Sequence, residues 1–483
     1  MLFVEGRFLF FFLVTFLVHW GLPRNRPRKL WLLACSYVFY GAWDWRFLFL
    51  ILASTVIDFA VGLGLTRPSR PSGRRLWLAA SLVANLSILG FFKYAGFFVS
   101  EGAELLSAIG LPCSIPTLSI ILPVGISFFT FQTMSYTIDV YRGQLAPRRG
   151  LGGFLDFALF VGFFPQLVAG PIVRAVTFLP QLDGKRLWSS VPVRAALTLF
   201  LFGFIKKACI GDQVAVVVDA VFSNVGAAGV LDHWLAVSLY TIQIYCDFSG
   251  YSDMAIATAA LLGYTLPDNF AHPYLARSIT DFWRRWHISL SSWFRDYLYI
   301  SLGGNRRGRT RTFANLALVF LLCGLWHGAA WNFVLWGLFH GAFLILERLG
   351  GKGPGSLPLA SRLANLPAPL SSAYTLLVVM VGWILFRAGS LAEAARYLLV
   401  MVGAHPQGAP TPQAGPPLDA ASASWWLLVL AFVICHLALS DGRLKRRLDT
   451  IAPFPFGLVL GAATALALFF AATGHTPFIY FQF

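Results

Sequence analysis

His287 and His327 are the two residues of this chain placed best for proton chemistry. The first lies in Asp281-Phe-Trp-Arg-Arg-Trp-His-Ile-Ser-Leu-Ser-Ser-Trp-Phe-Arg-Asp-Tyr297, the second in Gly324-Leu-Trp-His-Gly328. An imidazole titrates near neutrality, so a positioned one can accept a proton as a general base or act as a nucleophile. Either histidine can equally be a hydrogen-bonded packing residue. An ionisable group at membrane depth is nevertheless a functional hypothesis by default. No competing catalytic set is present: there is no Gly-x-Ser-x-Gly elbow, His-Glu-x-x-His, Walker loop or Gly-x-Gly-x-x-Gly. His19, His233, His272, His340, His405, His436 and His475 stand alone in ordinary contexts. The chain carries no cluster with metal-ligand spacing, so no metal is expected.

These histidines need helices to hold them. On one helix from Asp281 to Ile300, Trp283, His287, Leu290 and Phe294 share a face at spacings of four, three and four. Trp286, Trp293 and Tyr297 widen that face, and Asp281, Arg284, Ser291, Arg295 and Asp296 line the other. Downstream, basic residues at 305–311 and again at Arg348 and Lys352 bracket two apolar pieces, 313–325 and 329–346. If both brackets are cytoplasmic, the chain must turn near His327, where Gly324 and Gly328 permit a tight approach. Upstream, the apolar run 235–262 carries Asp247, Ser249 and Asp253. Carboxylates there either pin helices together or serve the chemistry.

Composition sets the class. Of 483 residues 57% are hydrophobic and 12% charged, against roughly a quarter charged in soluble domains. The apolar mass comes in helix-length blocks, so the reading is an all-α polytopic membrane protein with about 11 to 13 membrane-spanning or re-entrant helices, at roughly 20 residues per span. The net charge of +16 sits in short loops between apolar blocks. That is the signature of cytoplasmic loops facing anionic headgroups, and it argues against nucleic acid. Cys35, Cys113, Cys209, Cys246, Cys323 and Cys435 are scattered and read as small apolar residues. The run 8–22 has no small-residue cleavage site and reads as a retained first span.

The loop charges give an order of crossings. The N-terminus is expected outside and 24–29 inside. A hairpin turns at Trp43-Asp44-Trp45, 67–75 returns inside, and 118–138 leads back to Arg142, Arg148 and Arg149. The stretch 152–173 has basic residues on both flanks and Pro and Gly within, so a broken or re-entrant helix is expected. Residues 404–424, rich in Pro, Gly and Ala, are expected to form a mobile outer loop. There is no internal repeat and no soluble domain; the chain reads as one membrane domain, 1–483, with a core at 240–347.

The motifs around His287 and His327 closely resemble the membrane-bound O-acyltransferase family, in particular its bacterial branch for alginate O-acetylation. Matching stretches are 121–132 (Ile-Leu-Pro-Val-Gly-Ile-Ser-Phe-Phe-Thr-Phe-Gln), 164–172 (Phe-Pro-Gln-Leu-Val-Ala-Gly-Pro-Ile), 245–253 (Tyr-Cys-Asp-Phe-Ser-Gly-Tyr-Ser-Asp) and 478–483 (Phe-Ile-Tyr-Phe-Gln-Phe). The resemblance implies a helical fold with a tunnel across the membrane, and His327 as the essential histidine with His287 as its polar partner. His287 would orient His327 or hydrogen-bond a developing oxyanion. Trp326, Asp281, Arg284, Arg285, Asp247 and Ser249 are candidate substrate-binding residues. The implied activity passes an acetyl group from cytoplasmic acetyl-CoA, used as substrate with no bound cofactor, across the inner membrane of a bacterium. The acceptor would be an exopolysaccharide or other envelope glycan, reached through a periplasmic acetyltransferase partner. The alternatives are a transporter of a polysaccharide or lipid precursor that does no chemistry, and an acyltransferase acting on a lipid or a protein.

Overall fold

Helices are the only regular elements among the described residues. The computed structural model describes residues 1–67, 70–111, 120–226, 228–350, 366–404 and 419–472. Residues 405–418 of the expected outer loop and the motif at 478–483 lie outside them, and 419–424 belong to a helix, Asp419–Leu439, instead of the loop expected there. Among the described residues, four stretches are long and apolar enough to cross a membrane: Asn25–Gly64, Pro71–Ala108, Ala368–Arg387 and Pro453–Phe470. Only 11% of the apolar window of Pro71–Ala108 is buried. Leu76 and Phe98 on that helix are exposed, which is stable only where lipid replaces water. The protein is therefore an all-α, multi-pass membrane protein.

The chain divides into two compact units, residues 1–200 with 252–267, and residues 201–251 with 268–483. The first unit contains α1 (Gly6–Gly21), α2 (Asn25–Asp44), α3 (Leu48–Gly64), α4 (Pro71–Ala108), α5 (Ile126–Tyr141), α6 (Gly150–Gly162), α7 (Phe164–Leu167) and α8 (Ala175–Asp183). Where a hairpin is expected to turn at Trp43–Trp45, a 3-10 turn, Trp45–Phe47, joins α2 to α3 within the one apolar stretch Asn25–Gly64; Asp44 begins it, its carboxylate accepting the Arg46 N–H at 3.0 Å. Helices α3, α4 and α5 are joined by hydrogen bonds. Ser81 Oγ and Asn85 Nδ2 donate to the buried Asp58 carboxylate at 2.5 and 2.8 Å, and Ser54 Oγ donates to Asn85 Oδ1 at 2.6 Å. Between apolar helices such bonds supply the specificity that burial of apolar surface cannot.

The stretch 152–173 does break. Helix α6 ends at Gly162, α7 is a single turn begun by Phe164-Pro165, and the freed Phe164 N–H donates to Ser36 Oγ at 3.1 Å. Gly125, at φ +75°, lets α5 begin against α7; a Cβ there would lie 2.5 Å from the Leu167 carbonyl oxygen.

In the second unit, α9 (Val193–Phe204, whose last four residues belong here) runs through a π-helical stretch, Ile205–Gly211, into α10 (Asp212–Phe222). Lys207 Nζ bridges Asp212 at 2.8 Å and Asp247 at 2.5 Å, all three buried. Asp247 lies on α11 (Val230–Leu261), within which the boundary between the units falls. Gly250 of α11 faces the Gly203 carbonyl, which a Cβ would approach to 2.6 Å.

One expectation is corrected. Residues 281–300 do not form a single helix. Helix α12 (Ile279–Arg285) stops, His287 adopts a left-handed conformation (φ +41°, ψ +55°), and α13 (Ile288–Trp293) restarts and runs into a π-helical stretch, Phe294–Tyr299. A left-handed residue other than Gly costs about 1–2 kcal/mol, and bonds from a distant segment hold it. Ala271 N donates to Arg285 O and Ile288 N to Asn269 O, both at 2.9 Å.

The expected turn near His327 is present. Helices α14 (Arg309–His327) and α15 (Trp331–Leu349) form a hairpin. A Cβ on Gly324 would run into the Phe333 carbonyl, one on Gly337 into the Phe320 carbonyl, and one on Gly328 into the Phe333 ring. The two backbones touch because these side chains are missing. Gly324→Leu and Gly337→Leu are expected to lower the thermal midpoint in detergent or abolish the monodisperse peak, since overpacking costs about 1–3 kcal/mol even against movable side chains. Gly90→Ala, with nothing within 4 Å of the new Cβ, is expected to leave both measurements unchanged.

Candidate active site

His327 is the last residue of α14 and is only 4% exposed. Three rings stand nearly perpendicular to its imidazole: Trp326 at 4.9 Å between centroids, Trp336 of α15 at 4.9 Å, and Phe386 of α16 (Ala368–Arg387) at 5.2 Å. Trp326 follows Gly324 and Leu325 on the same helical turn. The glycine contact that closes the hairpin therefore also sets this indole.

His287 is fully buried. Phe248 of α11 lies edge-on to it at 4.6 Å, and the Trp326 ring is 5.9 Å away. Trp326 thus contacts both imidazoles, and the structure unites the two histidines and the tryptophan that the sequence singled out.

Asn269 orients His287. Its Oδ1 accepts the Ser289 N–H at 3.2 Å and the Ser289 hydroxyl at 2.8 Å, and lies 3.1 Å from His287 Nδ1. A backbone N–H only donates, so the atom facing it is the amide oxygen. An amide oxygen only accepts, so Nδ1 carries the ring proton. His287 sits between two helices of seven and six residues, each too short to cross a bilayer that needs about 20. Burial pushes its pKa down to about 3, so the ring is neutral near pH 7 and Nε2 holds the lone pair.

The other candidates stand elsewhere. Asp281 lies in the first turn of α12, whose cap Ser278 accepts the Asp281 N–H on Oγ at 3.0 Å; Asp281 Oδ1 accepts Arg285 Nε at 2.8 Å and its Oδ2 the Arg277 N–H at 3.2 Å. Arg284 is exposed and Arg285 partly exposed on the same short helix. Asp247 is engaged by Lys207. Ser249 is fully buried two residues on, and between them Phe248 reaches His287. Asn269, Phe248, Trp336 and Phe386 escaped the sequence reading. Each lies far along the chain from the histidine it touches or, like Trp336, looks like one more apolar residue of a span. His340, set aside as ordinary, is fully buried, with its ring 5.1 Å from those of both Trp283 and Trp336.

Comparisons with known proteins show what the whole chain is similar to. The model of the membrane-bound O-acyltransferase family matches residues 124–352. A probable alginate O-acetylase of Pseudomonas putida is 40% identical, with all of both chains aligned. Its counterpart in Azotobacter vinelandii is 43% identical over 83% of this chain and 78% of its own. A peptidoglycan O-acetyltransferase of Helicobacter pylori is 38% identical over 78% of this chain and 74% of its own.

An Asn269→Asp substitution places a carboxylate where the amide oxygen meets Nδ1. An adjacent opposite charge favours imidazolium, so the pKa of His287 is expected to rise by about 1–3 units. A pH–rate profile of acyl transfer then shows the acid limb moved to higher pH relative to the parent protein. An unmoved limb excludes His287 as a group that must stay neutral.

Proposed function

Because the chain belongs to the membrane-bound O-acyltransferase family and is an O-acyltransferase, we propose that it moves an acetyl group from cytoplasmic acetyl-CoA toward hydroxyls of an exopolysaccharide or another envelope glycan. The names of its relatives support the glycan: two are named as probable alginate O-acetylases and one as a peptidoglycan O-acetyltransferase. In this reading the protein sits in the inner membrane, and a periplasmic acetyltransferase completes delivery to the polymer.

The observation that carries the reading is the pair of buried imidazoles that both meet the Trp326 ring, at 5.9 and 4.9 Å between centroids, one of them at the tip of a helix hairpin. As the acceptor oxygen attacks the thioester carbonyl, its proton passes to His327. The carbon–sulfur bond breaks, the ester carbon–oxygen bond forms, and the departing thiolate takes the proton from His327. The imidazole ends as it began. A positioned general base contributes about 10²–10⁴ in rate.

In this scheme His287 acts as an acceptor: its Nδ1–H donates to Asn269 Oδ1, and the lone pair of the neutral ring is on Nε2. Its role in this scheme is to hold the hydroxyl or its proton in line with His327. The surrounding indoles keep water from the thioester. Arg284, exposed on α12, with Arg306, Arg307 and Arg309 nearby in sequence, supplies cationic side chains of the kind that bind CoA phosphates.

His327→Ala is expected to lower acetyl transfer from labelled acetyl-CoA by at least about 10², with an unchanged elution profile in size-exclusion chromatography. Wild-type rates in the folded variant reject the catalytic assignment.

A further inference from the structure

The cage around His327 has walls that are themselves held from behind. Trp336 packs on His340 at 5.1 Å and stacks on Trp383 at 6.4 Å with 17° between the planes. Phe386 meets Phe333 at 5.0 Å, Trp336 at 5.3 Å and Trp383 at 5.8 Å. Trp336, Trp383 and Phe386 are each 1% exposed. Neither inner ring can rotate away without displacing a second buried aromatic. Gly382 tightens this layer further, because a Cβ there would lie 2.6 Å from His340 Nε2. Interiors packed to this density do not stretch to admit extra atoms.

An acyl group handed over at His327 would meet these rings, because Trp336 and Phe386 stand 4.9 and 5.2 Å from the imidazole between centroids. The methyl of an acetyl group needs little room beside them. Each further methylene needs volume that the Trp336 indole or the Phe386 ring already fills. We propose that Trp336 and Phe386 set the acyl-chain length, confining transfer to acetyl-sized groups by walling in His327. The proposal rests on His327 being the site of transfer.

The selection is steric. One methylene in an apolar pocket changes relative rates by about 10- to 200-fold. Trp326 differs from the other two in touching both histidines, so changing it disturbs geometry as well as volume.

The test uses full-length protein in detergent or nanodiscs, with acetyl-, butyryl- and hexanoyl-CoA as donors and a soluble polyol as acceptor. The readout is kcat/KM for butyryl relative to acetyl. Wild-type protein is expected to prefer acetyl by at least about 10². Phe386→Ala is expected to raise the butyryl-to-acetyl ratio by about tenfold or more, chiefly through faster butyryl transfer. Trp336→Phe, which keeps an aromatic ring and removes less volume, shifts the ratio the same way by a smaller factor. It supplies the measurement if the alanine variant does not fold. Phe59→Ala, in the other compact unit, leaves the ratio unchanged. Folded Phe386 and Trp336 variants that keep the wild-type ratio overturn the proposal, as does a wild-type protein that uses hexanoyl as readily as acetyl. Folded wild-type protein that transfers no acyl group from any thioester rejects instead the underlying reading of the function.

Discussion

Backbone-to-backbone contact between α14 and α15 is the constraint on which the site depends. Gly324 and Gly337 each face a carbonyl of the opposite helix across a gap with no room for a methyl group. In lipid no hydrophobic force drives two apolar helices together, so close packing of small residues must do it. The contact lies within one helical turn of His327. It sets where the imidazole ends up, which side Trp326 presents, and how near Trp336 comes. Phe333, whose carbonyl meets Gly324 and whose ring lies where a Cβ on Gly328 would go, is also the residue that backs Phe386. One packing event thus fixes the histidine and part of its cage.

The second organising feature is the treatment of polar groups away from water. The three clusters described, around Asp58, Lys207 and Asn269, are each completed by partners on other segments. A buried polar atom without a partner costs about 1–3 kcal/mol, more if charged, so these clusters specify which helices meet. The Asn269 cluster goes further. It holds His287 in a conformation an isolated helix would not adopt, chooses its tautomer, and leaves one nitrogen as an acceptor. Strain of this kind survives only where the surroundings over-determine it.

Much of this was legible in the chain itself. The membrane class follows from composition alone. The turn at His327 follows from basic residues on both sides of a run too long for one span, and from glycines at its middle. The break after Gly162 is announced by Phe163-Phe164-Pro165. The pairing of His287 with His327 came from motif resemblance, and the structure puts Trp326 against both. The continuous helix over 281–300 was a misreading with a clear cause. The apolar periodicity runs unbroken through His287, and nothing local signals that Asn269 will seize the backbone there.

What the sequence determined by itself is whatever depends on neighbours along the chain: apolar runs, charge at their ends, glycine and proline at their breaks. What only the tertiary structure decided depends on residues far apart in number. Asn269 reaches His287, Lys207 reaches Asp247, and Phe386 reaches His327. Hydrogen-bond geometry and ring contact are set by distances of a few ångströms in space, and the order of residues along a chain carries no record of which helices will lie side by side.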